Sequence, residues 1–152
     1  MNKVNPIPPG YHTVTPYLMV READKLIELL KDAFGAEMLE RHDQPDGKVM
    51  HAEVRIGDSP VMISEACDTM EGMGPVQSVL YLYVEDADAV FKKAIATGCT
   101  EVMPVDNQFW GDRMGGVVDP WGNRYWISTH VEDLSAEEIQ RRAAAFAKDL
   151  PS

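Results

Sequence analysis

Cysteine is scarce in this chain of 152 residues. Cys67 and Cys99 cannot build a disulfide framework and show no metal-ligand spacing, so a reduced, cytoplasmic protein is expected. Long hydrophobic runs are missing as well. None approaches the roughly 20 residues that cross a bilayer, and the N-terminus MNKVNPIPPGYH has proline where a signal peptide needs an apolar segment. Positive charge is short: 14 Lys and Arg against 25 Asp and Glu leave a net charge of -11. Nucleic acid is therefore a poor partner, because phosphate binding needs a basic face. The acidity is spread along the chain, which suits solubility better than steering. Two further signatures are missing. Gly115-Gly116 lies between strands rather than before a helix, so it is no phosphate loop. Ser128 sits mid-strand without an elbow motif, and neither cysteine has an adjacent base, so nucleophilic catalysis is poorly supported.

What is present is organised around Trp110–Thr129, WGDRMGGVVDPWGNRYWIST. Asp119-Pro120-Trp121-Gly122 has proline and glycine where a type I turn favours them. Beyond it, Arg124, Trp126 and Ser128 alternate with Tyr125, Ile127 and Thr129, the period of a strand with two different faces. One face is expected to be core and the other a pocket wall. Upstream, Pro6, Pro8, Pro9 and Gly10 mark an extended leader over 1–10. A strand over Thr13–Val20 and a helix over Ala23–Phe34 follow, the helix stopped by Gly35. Strands are then expected over Ala36–Arg41, Val49–Ile56 and Val61–Glu65, with turns at Pro45-Asp46-Gly47 and Gly57-Asp58-Ser59. After a loop-like stretch, a strand over Val79–Val84 leads to a helix that is N-capped by Asp86 and runs to Thr97. A strand over Glu101–Asn107 precedes the organising stretch. A last helix starts at Ser135, with a capping box closed by Glu138 and an apolar stripe of Ile139, Ala143, Phe146 and Leu150.

The order repeats. Tyr17-Leu18-Met19-Val20-Arg21-Glu22-Ala23-Asp24 matches Tyr81-Leu82-Tyr83-Val84-Glu85-Asp86-Ala87-Asp88 at a spacing of 64, and Ile63-Ser64 matches Ile127-Ser128. Two strand–helix–strand–strand–strand modules are predicted, each too small to bury its sheet alone. They occupy 11–66 and 78–130, joined by a linker over 67–77, with a helical C-terminal segment over 131–152.

The motifs Gly10-Tyr11-His12-Thr13-Val14-Thr15-Pro16-Tyr17-Leu18, His51-Ala52-Glu53-Val54-Arg55-Ile56-Gly57-Asp58-Ser59, Trp110-Gly111-Asp112-Arg113, Asp119-Pro120-Trp121-Gly122-Asn123 and Thr129-His130-Val131-Glu132-Asp133 carry a resemblance. The chain resembles the vicinal oxygen chelate superfamily, and within it the glyoxalase/bleomycin resistance, PhnB-like subgroup. The resemblance implies an α+β fold of two βαβββ modules, each curling a mixed sheet into a cup. It also implies a homodimer, with modules exchanged between chains in many members. Metal-dependent members place one ligand on the first and last strand of each module. Carried onto this sequence, those positions fall on Thr15, within Val61–Glu65 where Glu65 alone can ligate, on Val79, and on Trp126. Valine cannot bind a metal and an indole fills its space, so the divalent-ion chemistry of the relatives is unsupported, and neither metal nor cofactor is expected.

His51, Glu53 and Arg55 share one strand face. They read equally as a polar pocket wall, with His51 an acid or base near neutral pH, and as an internal ion pair or solvated face. Tyr17, Tyr81, Tyr83, Trp110 and Trp126 read as an aromatic lining for a flat apolar ligand, and Arg113 and Arg124 suit a ligand carboxylate; the alternatives are core or dimer-interface aromatics and arginines paired with acids. The candidate ligand-binding set is Thr15, Tyr17, His51, Glu53, Tyr81, Trp110, Arg113, Arg124 and Trp126. The expectation is a metal-free small-molecule binder of the sequestration or resistance type. Its rival is a lyase, isomerase or dioxygenase using a relocated metal held by His12, His51, Glu65 or His130, or a metal-free acid–base pair such as His51 with Glu53.

Overall fold

The computed structural model describes residues 3–152. The chain forms two compact units that meet in sequence between Ser78 and Val79. The first runs β1 (Tyr17–Val20), α1 (Ala23–Phe34), β2 (Glu37–Asp43), β3 (Val49–Ile56) and β4 (Ser59–Glu65). The second runs β5 (Val79–Tyr83), α2 (Ala87–Thr97), β6 (Thr100–Asn107), β7 (Asp112–Val118) and β8 (Arg124–His130), followed by α3 (Ala136–Ala147). Each unit holds one mixed four-stranded sheet, ordered β1-β4-β3-β2 in the first and β5-β8-β7-β6 in the second. In both, the first strand lies parallel to the last and the other pairs are antiparallel. This is the predicted α+β pair of βαβββ units with an added C-terminal helix.

The core of the first unit follows from two periodicities that meet. Leu26, Ile27, Leu30 and Ala33 recur along one side of α1, and Leu18, Val20, Ala52, Val54 and Ile63 alternate along the strands; all are buried. Helix α1 ends on Gly35, whose positive φ of 67° lets its N–H return to the Lys31 carbonyl. The second unit buries Leu-sized groups less fully. Its core centres on Val117, Tyr125 and Ile127 beneath Ala87 and Ala94 of α2.

The strand expected from Thr13 begins instead at Tyr17. Pro16 has no N–H to offer a ladder, although its carbonyl still accepts the Met62 N–H at 2.9 Å. The stretch after β4 is bound to the first unit, since the Val76 N–H donates to the Met19 carbonyl at 3.0 Å and the Cys67 N–H to that of Met73 at 2.7 Å. At α3, the Ser135 hydroxyl accepts the Glu138 N–H at 3.1 Å. The Glu138 carboxylate is taken by Arg141 and Arg142, which hold its carboxyl down at about 2. Among the described residues, no helix is long and apolar enough to cross a membrane.

Candidate functional site

The register of the two sheets fixes what stands at corresponding places. β1 pairs with β4 so that Tyr17 is opposite Met62, and β5 pairs with β8 so that Tyr81 is opposite Trp126. Both pairs obey the same 64-residue spacing, so Met62 is the counterpart of Trp126. Strand alternation then divides each sheet. In the first unit Val61, Ile63 and Glu65 face α1, and Met62 and Ser64 face away. This corrects the expectation for Glu65. Its Oε1 accepts the Glu22 N–H and its Oε2 the Ala23 N–H, both at 2.9 Å, so it caps the start of α1, where Glu22 itself sits at a positive φ of 56°. Thr129, at the equivalent place on β8, does the same for α2, its Oγ1 accepting the Ala87 N–H at 2.9 Å.

The four strand positions at which metal-dependent relatives carry ligands are therefore Thr15, Met62, Val79 and Trp126. One hydroxyl, one thioether, one isopropyl group and one indole do not make a site for a hard or borderline divalent ion, which is held by carboxylate and imidazole. The indole of Trp126 lies against Gly116 of β7: a Cβ added there would come within 2.3 Å of its Cζ3 and 2.6 Å of its Cε3. The Arg124 guanidinium stands 5.7 Å from the indole centroid, a cation–π contact. Val79, Tyr81 and Tyr83 share this face of the second sheet and are 64%, 41% and 66% exposed. Among the described residues, no three His, Cys, Asp or Glu side chains converge as a metal site.

On the face of the first sheet away from α1 lies a cavity of about 500 Å³. The leader forms part of its wall through Pro6, Ile7 and Pro8, Tyr11 follows it, and the sheet contributes Glu40, Glu53 and Met62, with Thr15 between. Glu53 is the polar centre. Its Oε2 accepts the Tyr11 phenol and its Oε1 faces His51 Nε2 at 3.1 Å. Tyr17 leans on the His51 ring at 5.9 Å between centroids. Thr15, Tyr17, His51 and Glu53 are thus brought together at one face.

The second unit gathers a different cluster around Asp112, which is buried. Its Oδ2 accepts Tyr81 Oη at 2.7 Å, Tyr83 Oη at 3.1 Å and Trp110 Nε1 at 3.0 Å, and its Oδ1 meets His130 Nδ1 at 2.9 Å. Burial opposes ionisation of this carboxyl, but the hydrogen bonds from His130, Tyr81, Trp110 and Tyr83 together hold it below the usual range. In return Asp112, and then Asp133 at 2.8 Å from Nε2, raise the pKa of His130. Trp110 also packs edge-on against Phe109, which meets Phe146 of α3. Arg113 is elsewhere. It shares the face of Gly115, whose added Cβ would strike Phe91 of α2, and its Nε and Nη2 grip Asp88 at 2.6 and 2.9 Å. Of the expected arginines, the structure sets only Arg124 beside the aromatics.

Sequence reasoning missed Asp112 and Tyr11. An aspartate flanked by Gly111 and Arg113 carries no periodic signal, and its role depends on tyrosines some 30 residues away. Tyr11 directly follows a proline-rich leader that reads as mere connection, and it carries no periodic signal of its own.

Comparison with known proteins agrees with this geometry. The sequence model of the glyoxalase/bleomycin resistance protein/dioxygenase superfamily matches residues 11–127. The chain belongs to that superfamily. An uncharacterized protein of Mycobacterium bovis is 35% identical over 135 residues, covering 84% of this chain and 89% of its own. Among solved structures of the superfamily fold, TioX from Micromonospora sp. ML1 is similar with a TM-score of 0.63 and 24% identity, over 82% of this chain and 100% of that one. Fosfomycin resistance protein FosX from Mesorhizobium loti is similar with a TM-score of 0.57 and 16% identity, over 88% of this chain and 97% of that one. At these identities the two structures speak for the shared fold alone.

Proposed function

We propose that this member of the superfamily is a metal-free small-molecule binder of the sequestration type. The observation that carries the reading is the pair Met62 and Trp126 standing at equivalent last-strand positions, where relatives that use a divalent ion need a carboxylate. The cavity beside Met62 supports it, since a concave, mostly apolar hollow with a few placed polar groups is the usual form of a ligand site. The same proposal takes the chain as a cytoplasmic homodimer of the PhnB-like kind, in which a second copy covers the exposed Val79, Tyr81 and Tyr83. Metal analysis joined to native mass spectrometry tests it: a dimer without stoichiometric zinc, nickel or iron is expected, and one such ion per chain overturns the metal-free claim. A thermal-shift panel of antibiotics and flat aromatic metabolites supplies the binding arm, because a ligand of the native state raises the melting temperature by mass action.

One observation favours a second reading. His51 Nε2 faces the Glu53 carboxylate at 3.1 Å beside the cavity, an arrangement that orients an imidazole for proton transfer. In that reading the protein is an enzyme without a metal, and His51→Ala abolishes turnover of a bound compound while its affinity survives. Unchanged turnover in the variant removes this reading.

A further inference from the structure

We infer that the cavity of the first unit takes an organic cation, a protonated amine, amidine or guanidinium carried on an apolar body. The inference rests on the small-molecule-binding reading above and names its ligand class. The wall of the cavity carries the carboxylates of Glu40 and Glu53 and the imidazole of His12, and no lysine or arginine. Glu40 and Glu53 are direct partners across β2 and β3. Like charges at directly opposed positions on one sheet face destabilise the pair, and a cation between them reverses the sign of that interaction. Among the described residues these carboxylates meet imidazoles, His42 for Glu40 and His51 for Glu53, and the neutral phenol of Tyr11, but no ammonium or guanidinium. Arg55, the guanidinium next along β3, is engaged by Glu37.

The hydrogen-bond inventory points the same way. An ionised carboxylate only accepts, so whatever meets Glu53 must bring donors. Its side chain is 13% exposed, and its Oε2 is now served by the neutral phenol of Tyr11. An N–H of a cationic ligand substitutes for that phenol with a stronger, charge-assisted bond. One further polar group lies two residues along β4 from Met62, on the same sheet face but outside the residues that line the cavity. Ser64 is buried and its hydroxyl has no partner among the described residues. Its counterpart Ser128 lies 3.1 Å from Tyr81 Oη, but in the first unit Tyr17, the counterpart of Tyr81, leans on His51 instead. A buried hydroxyl without a partner is rare, so the two units differ in polar detail on this face, and the cation reading stands on the cavity and its two carboxylates. The remaining walls, Ile7, Pro8 and Met62, accept the apolar body, and the net charge of -11 favours approach of a cation over an anion.

The test uses the full chain and three probes of one shape: phenethylamine, phenethyl alcohol and 3-phenylpropionate. Each is titrated while the backbone amides of Tyr11 and Glu53 are followed by NMR, with affinities from calorimetry. The amine is expected to bind at least about tenfold more tightly than the alcohol, the scale of one hydrogen bond to a charged group, with the carboxylate weakest. Its advantage should shrink as salt is raised. Glu53→Gln should erase the preference of amine over alcohol, Glu40→Gln should reduce it, and Tyr11→Phe should tighten amine binding by removing the competing phenol. Should Glu53→Gln fail to fold, the other two variants decide. Equal affinity for amine and alcohol, or tighter binding of the carboxylate, overturns the cationic class while leaving a small-molecule binder in place. No response from any probe at Tyr11 and Glu53 overturns it too, and the broader panel then judges the binder reading by itself.

Discussion

Gly115 and Gly116 are adjacent glycines on β7 that look to opposite sides, and the second of them seats the indole on which the proposed metal-free reading rests. Neither has a positive φ, so alanine is compatible with the backbone and any penalty comes from what its Cβ meets. At Gly116 that is the Trp126 ring, at 2.3 Å from Cζ3 and 2.6 Å from Cε3. The ring must move by about an ångström or more to restore ordinary contact, and overpacking of this kind destabilises by about 1–3 kcal/mol. For a chain of this size that lowers the melting temperature by about 2–10 °C. The comparison that isolates the contact is a double-mutant cycle with Trp126→Ala. Once the indole is gone, Gly116→Ala should stabilise by about 0.5–1 kcal/mol, because alanine loses less backbone entropy in a strand than glycine does. The change of sign between the two backgrounds is the signature, read by thermal and urea denaturation with tryptophan emission as a second probe. An equal effect of Gly116→Ala in both backgrounds would refute the claim that the indole rests on this strand, and with it the account of why no carboxylate or ion fits there. Gly115→Ala is the control for direction: its Cβ would meet Val105 Cγ2 at 2.7 Å and Phe91 Cδ2 at 2.9 Å, on the side packed by α2, and it should be unaffected by Trp126→Ala.

Three further outcomes are expected. Glu65→Ala removes both acceptors from the start of α1 and should destabilise by about 1–2 kcal/mol in chemical denaturation, with no change in metal content; a loss of bound metal would restore Glu65 as a ligand. Asp119→Ala should destabilise by at least about 3 kcal/mol, because its carboxylate accepts the Trp121 and Asn123 N–H groups at 2.9 Å each, Asn123 Nδ2 at 3.0 Å and the buried Tyr125 phenol at 2.7 Å; a near-neutral melting temperature contradicts that role. The NMR titration midpoint of His130 should lie above its ordinary value of about 6.5 and fall in Asp112→Asn. Because its folded pKa is raised, the stability it contributes is fully present below the unfolded value and is lost as pH rises through the folded one. The depressed carboxyl of Asp112 contributes above its unfolded value and loses that contribution in acid, so the pair stabilises most between about pH 4 and 6.5.

The parts of the molecule that the sequence discloses are those governed by near neighbours along the chain. Helix α1 was readable to its end residues because Leu26, Ile27, Leu30 and Ala33 recur on one side and Gly35 follows. Asp86 was readable as a cap because a short acidic side chain reaches its own helix, and it does accept the Ala89 N–H at 3.0 Å. The equivalent cap of α1 was not readable. Glu22 takes the left-handed conformation and the acceptors arrive from Glu65, 43 residues on, so a residue that looks like a spare metal ligand is a tertiary cap. β1 was over-extended because Thr13 and Thr15 alternate as strand residues do, while Pro16 withholds the N–H that the ladder needs.

The 64-residue repeat gives the site its deepest reading, because it shows which differences between the units are substitutions at one place rather than unrelated features. Met62 and Trp126, Ser64 and Ser128, Glu65 and Thr129 are three successive equivalences on the last strand of each unit. The third pair shares one task, capping the helix start of its own unit, with different chemistry. The second pair kept the residue and lost the partner, since Tyr81 serves Ser128 but Tyr17 has turned to His51. The first pair, a thioether and an indole, offers no carboxylate or imidazole in either unit. A duplicated sheet that had retained catalysis through a metal at these strands would show donors surviving at the first pair and drift at the third. Here helix capping is common to both units while the first pair carries a thioether and an indole, the pattern that the metal-free reading proposed above expects.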